Sequence, residues 1–137
     1  MRVNLRPQQL HAGADNERGY TYAVQVGRTV WISGQVPKNR NGELVGGDDF
    51  EAQAVQVMEN LKAIVEEAGG TLADVVKINT HLTDRRFREA VQRIRRRYFT
   101  APNMPASCTV ICDVLVPGAL LEIEATAVIG SAIPDSQ

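Results

Sequence analysis

The sequence predicts an α+β fold. Two helical stripes with apolar residues three and four apart and several alternating or β-branched runs support it, and the order ββαβαββ places both helices on one face of a mixed sheet. The 137 residues fit one domain, residues 1–137 with a core over about 19–130.

The first 18 residues have no clear period. "YTYAVQV" (20–26) then alternates, turns at Gly27-Arg28 and continues as "TVWIS" (29–33), which reads as a β-hairpin. "KNRNGELVGGDD" (38–49) is a polar surface loop with room for a short hairpin, because Asn41-Gly42 and Gly46-Gly47 form turns. From Phe50 to Ala68, Val55, Met58, Leu61, Ile64, Val65 and Ala68 mark one helical stripe. Asp48 and Glu51 look like its capping box and Gly69-Gly70 like its stop. Thr71 and Asp74 cap one further turn before the strand "VVKINTHL" (75–82). Thr83 or Asp84 caps a second helix in which Phe87, Val91, Ile94 and Tyr98 share a face, and Pro102 and Pro105 forbid its continuation. Two strands close the chain, "SCTVICDVLV" (107–116) and "LLEIEATAVI" (120–129).

Two helices cover only one sheet face, yet the strands offer apolar side chains on both. A homo-oligomer whose sheets pack together is the simplest remedy, and sites in such assemblies often lie between subunits. The 44% hydrophobic and 23% charged content is that of a soluble globule, and a net charge of −1 gives no global pull toward nucleic acid or membrane. No apolar run approaches the roughly 20 residues that span a bilayer, and the N-terminal stretch lacks a secretory apolar segment, so the cytoplasm is the expected compartment.

Cys108 and Cys112 fall four apart on the expected strand, about 13 Å at roughly 3.3 Å per residue. That separation permits neither a disulfide nor a shared zinc without a bend, so buried structural thiols are the favoured reading. A reactive Cys108 near the strand's start stays open. His11 and His81 make no ligand spacing, and no metal or other cofactor is expected. Glu122 and Glu124 point to one face of the last strand. Two carboxylates there, if partly desolvated, would raise one pKa toward neutrality and supply a general acid or base; a solvated face or an ion pair with arginine is the competing reading. Seven of the 15 basic residues, Arg85, Arg86, Arg88, Arg93, Arg95, Arg96 and Arg97, lie on the second helix. Without an aromatic platform they read as a solvated face or as subunit salt bridges rather than a nucleic-acid surface.

"GYTYAVQVGRTVWISGQVP", "EAQAVQVMENLKAIVEEAGGTLADVVKINTHLTD", "RYF", "MPAS" and "LLEIEATAV" together resemble, in order and spacing, the reactive intermediate deaminase (Rid, YjgF-like) family over about residues 19–129. The resemblance implies a chorismate-mutase-like fold, a homotrimer around a central barrel of sheets, and ligand clefts between subunits. It implies cofactor-independent hydrolysis of short-lived enamines and imines such as 2-aminoacrylate to a keto acid and ammonia. Glu122 matches the glutamate that positions water; Tyr20, Ser33 and Gly34 match cleft positions, and Gln92 stands where an asparagine is common. Cys108 adjoins them on the sixth element. Where deaminating members read Pro-Ala-Arg, with the arginine gripping the substrate carboxylate, this chain reads Pro105-Ala106-Ser107. A serine hydroxyl cannot replace a bidentate guanidinium, so weak or altered activity on 2-aminoacrylate is expected. Pro117 marks a second departure, at the cleft lip.

The expected partner is thus a small-molecule substrate. The alternatives are a non-catalytic metabolite-binding or regulatory trimer, a specialised biosynthetic hydrolase or isomerase, and, less favoured, RNA binding or cleavage through the second-helix arginines.

Overall fold

The computed structural model describes residues 1–11 and 18–135. In chain order the elements are β1 (Arg2–Leu5), β2 (Ala23–Val26), β3 (Thr29–Gln35), α1 (Phe50–Glu67), β4 (Val75–Leu82), α2 (Arg88–Tyr98), β5 (Ala106–Ile111) and β6 (Leu121–Val128). Single 3₁₀ turns, Leu72–Asp74 and Arg85–Phe87, precede β4 and α2. The strands form one sheet ordered β1-β2-β3-β6-β4-β5. Every neighbour is antiparallel except β4 and β5, which run parallel because α2 carries the chain back between them. The sheet is therefore mixed, and the fold is α+β.

Burial follows the expected periods. On α1, Val57, Met58, Leu61, Ile64 and Val65 are buried, each such burial contributing about 1.5 to 3 kcal/mol. Val55 and Ala68 lie at the edge of that stripe, packed against the core but only half-buried. The helix is capped one residue later than the sequence suggests: Asp49, not Asp48, accepts the Ala52 N–H. Thr71 and Asp74 do form a reciprocal capping box. Val91 and Ile94 anchor α2 in the same core, while Phe87 stacks on Phe50 with ring centroids 4.5 Å apart and ties the two helical segments together. On β6, Leu121, Ile123, Ala125 and Ala127 face the helices, leaving Glu122, Glu124, Thr126 and Val128 on the opposite side.

Three further expectations need correction. The order is βββαβαββ, because Arg2–Leu5 pairs with β2 as an additional edge strand. Four residues of which only Leu5 is buried give too short a pattern to read as a period. Residues 12–17 of that opening stretch lie outside the described part. The strand expected over 107–116 ends at Ile111; its pairing continues through one more bond, Cys112 N–H to Leu82 O at 2.9 Å, before the chain leaves toward Pro117-Gly118. The cysteines are not buried packing residues either. β5 is an edge strand exposed along its whole length, so Cys108 is exposed and Cys112 only half-buried, and both are free thiols.

The sheet face away from the helices carries Trp31 and Val110, each a little under half exposed, among Lys77, Asn79, His81, Glu122 and Glu124. It is amphipathic rather than uniformly apolar. No helix of the described residues is long and apolar enough to cross a membrane.

Gln53, fully buried on α1, sets where β6 begins. Its amide nitrogen donates to Gly47 O and Gly118 O, both at 2.9 Å, and its Oε1 accepts the Leu120 N–H at 2.7 Å. Three backbone groups from two loops thus meet one side chain. Gln53→Met nearly conserves volume but leaves those groups unpaired, and is expected to cost about 2 to 4 kcal/mol, read as a lower urea midpoint at unchanged slope. A loss below about 0.5 kcal/mol would show that the loops hold themselves.

Candidate functional site

Between Ile32 and Gln35, β3 advances three residues while β6 advances two, from Ala125 to Ile123. The extra residue makes a bulge at Ser33-Gly34, a device that re-aims side chains. Glu122 uses the space: a Cβ placed on Gly34 would collide with its carboxylate Oε1. Glycine is required here for close approach, since its φ is not in the left-handed region.

The carboxylate opens into a cavity of about 280 Å³ whose wall includes Arg18, Tyr20, Tyr22, Gly34, Lys38 and Glu122. The Arg18 guanidinium lies over the Tyr20 and Tyr22 rings, 5.6 and 5.8 Å from their centroids, which fixes a cation beside the carboxylate's cavity. The Tyr22 hydroxyl donates to His11 O. Ser33 Oγ donates to Thr21 O at 2.6 Å, so its proton is committed and its lone pairs remain to accept. Ser33 and Tyr20 also line a neighbouring cavity of about 490 Å³ that runs over Trp31, Asn79 and Glu124.

The two strand glutamates occupy different settings. Glu124 accepts from Asn79 Nδ2 at 3.0 Å, whereas Glu122 leans over Gly34. His81 pairs in register with Glu122 on the adjacent strand, and its Nδ1 lies 3.7 Å from Cys112 Sγ. The four-residue separation of the cysteines gave no hint of this thiol–imidazole contact, which crosses strands. Among the described residues no three His, Cys, Asp or Glu are grouped to hold a metal ion.

Ser107 lies elsewhere. It pairs with buried Ile78 and points to the helix side of the sheet, where it lines a cavity of about 230 Å³ with Gln92, Arg95 and Met104. Arg95 Nη1 donates to Ser107 Oγ at 3.1 Å and to Thr109 Oγ1 at 3.4 Å. Burial lowers the Arg95 pKa, though a guanidinium stays charged at neutral pH. Of the residues singled out in the sequence, Tyr20, Gly34 and Glu122 therefore share one cavity, with Ser33 adjoining Tyr20, while Gln92 and Ser107 share another. Cys108 pairs with Asn79 and points to the Glu124 side. Within one chain Glu122 and Ser107 face opposite sides of the sheet and sit two strands apart, roughly 9.6 Å at 4.8 Å per strand. Sequence reasoning missed Arg18, Tyr22 and Lys38, which converge only through the fold, and read Arg95 only as part of a solvated or salt-bridged arginine face, although its place three residues after Gln92 on one helix face was a usable signal.

The model of the endoribonuclease L-PSP family matches residues 12–129. The chain belongs to this family, the Rid (YjgF/RutC) proteins. A Dermatophagoides farinae protein named 2-iminobutanoate/2-iminopropanoate deaminase is 39% identical to this Rid chain over 111 residues, spanning 80% of it and 85% of the relative. A RutC family protein of Pyrococcus abyssi is 38% identical over 109 residues, 79% of this chain and 84% of its own. Among solved structures, RidA from the Antarctic bacterium Psychrobacter sp. PAMC 21119 superposes with a TM-score of 0.83 at 38% identity, covering 93% of this chain and 99% of that one.

The atoms that a Gly34 side chain would meet are the mobile end of Glu122, so Gly34→Ala should fold with a stability within about 1 kcal/mol of the parent. A crystal structure of the variant should show the carboxylate swung out of its seat. An unmoved Glu122 would mean that the bulge has more room than this geometry gives it.

Proposed function

We propose that this Rid protein hydrolyses a small enamine or imine to a keto compound and ammonia, in clefts formed between copies of the chain. The observation that carries the reading is the Glu122 carboxylate, seated over Gly34 in a cavity bordered by cations and phenols. The deaminase name of the Dermatophagoides relative supports the reaction class.

An imine carbon is already electrophilic, so water held by Glu122 can add to it. The imine nitrogen is first protonated from solvent; the C–O bond then forms as Glu122 takes one proton of the water and the C=N π pair moves to nitrogen, giving a carbinolamine. Glu122 passes that proton to the amino nitrogen, the C–N bond breaks to release ammonia, and the hydroxyl proton returns through Glu122 to solvent as the C=O bond forms. An enamine enters the same route after protonation at carbon. Ser33, whose proton is committed to Thr21 O, offers lone pairs to the substrate N–H, and the Tyr20 ring bounds the ligand.

Assembly would complete the site. The uncovered sheet face and the exposed edge β5 favour association into a homotrimer with sheets innermost. Tyr20, Ser33, Gly34 and Glu122 of one copy would then meet Gln92, Ser107 and Cys108 of the next. Ser107, in place of arginine, favours a second reading, a non-catalytic metabolite-binding trimer; a ligand that raises the melting temperature without product formation would select it.

Generating 2-iminobutanoate enzymatically and following the keto acid should show turnover by the parent and a fall of at least about 100-fold in Glu122→Gln, the usual scale of general acid–base catalysis. Undiminished turnover in the variant removes Glu122 from the mechanism. Sedimentation equilibrium should give three times the 15.0 kDa chain mass, and a monomer would refute the shared cleft.

A further inference from the structure

Arg95 is the feature of the fold that the proposed reaction leaves unused. Its side chain is half-buried, burial opposes its charge, and its bonds go to two neutral hydroxyls rather than to a carboxylate. Elsewhere on this segment arginines do find carboxylates: Arg97 pairs with Glu51, and Arg86 with Asp84 at 3.4 Å. A partly desolvated cation without a counter-charge is costly, and the cost is relieved when an anion binds.

The surroundings fit an incoming anion. Arg95 and Gln92 form the wall common to two adjoining cavities, one of about 230 Å³ beside Ser107 and one of about 390 Å³ that adds Arg85 and Arg88. Among the described residues, none that lines either cavity is acidic. Leu82, Val91 and Ile111 give the larger one an apolar floor, suited to a short hydrocarbon tail rather than a fully hydrated inorganic ion. The two hydroxyls hold the guanidinium by one nitrogen, Nη1, leaving its other N–H groups to form a forked pair with a carboxylate.

We propose that Arg95, positioned by Ser107 and Thr109 and assisted by Gln92, binds the carboxylate of a short-chain ligand. The grip that residue 107 cannot supply from β5 is delivered from α2, and Ser107 serves as the rest that holds Arg95 in place. The choice of a keto or imino acid rests on the hydrolase reading above. The anion site itself does not, and binding can be measured without turnover.

Titration calorimetry with sodium 2-oxobutanoate, the stable keto acid, tests it on the parent protein and on Arg95→Met, Arg95→Lys and Arg93→Met. The parent should bind. Arg95→Met should weaken binding at least tenfold, the scale of a lost charged hydrogen bond. Arg95→Lys should fall between the two, and Arg93→Met, altered at an exposed position of the same helix, should match the parent. Neutral 2-oxobutanamide should bind more weakly than the acid, and inorganic phosphate should not displace it. No binding by the parent, equal binding by Arg95→Met, or preference for phosphate over the keto acid overturns the proposal. Retained binding with lost turnover in Glu122→Gln would support both readings, whereas retained binding in a parent that turns nothing over would leave the anion site standing without the hydrolase.

Discussion

Gln53 is the interaction on which the placement of the Glu122 carboxylate depends. A buried primary amide has two donors and an acceptor to satisfy, and here each finds a backbone partner in a loop that would otherwise have to supply its own. The result is that β6 starts at a fixed point relative to α1. Glu122 stands two residues beyond the Leu120 N–H that Gln53 receives, so the register of the strand and the direction of that carboxylate are set from the helix. A slip of one residue would exchange Glu122 with Leu121 or Ile123, putting a charge into the core and an apolar side chain over Gly34.

Most of the architecture was legible because its periods are long and consistent. The α1 stripe, the alternation of β6 and the capping box at Thr71 and Asp74 each repeat a local rule often enough to be read. β1 was not, since four residues with one buried leucine contain no pattern. The end of β5 was misplaced for a related reason: "TVICDVLV" is β-branched and apolar throughout, but only its first part has β4 beside it to pair with. Composition reports the propensity for strand and is silent on where the neighbouring strand stops.

The site was legible by halves. Glu122 and Gly34 could be named from the chain, and the bulge that joins them explains why a glycine belongs there. The cation beside Ser107 could not be found from the strand that carries Ser107, because it comes from another element. Reading position 107 alone suggests an open, uncharged pocket, while reading it with α2 gives a pocket already occupied by a guanidinium. The same limit hid the contact between His81 and Cys112, which belongs to neighbouring strands and not to a sequence motif.

The sheet separates the two halves as a wall. Gln92 and Arg95 on α2 and Ser107 on β5 lie on the helix side of the sheet, while Glu122 turns to the other face. Substitutions on one side can therefore accumulate without disturbing the packing on the other. For a lineage built on this scaffold, the two sides become independently heritable traits, and α2 and β5 can be edited while the carboxylate over Gly34 stays where it is.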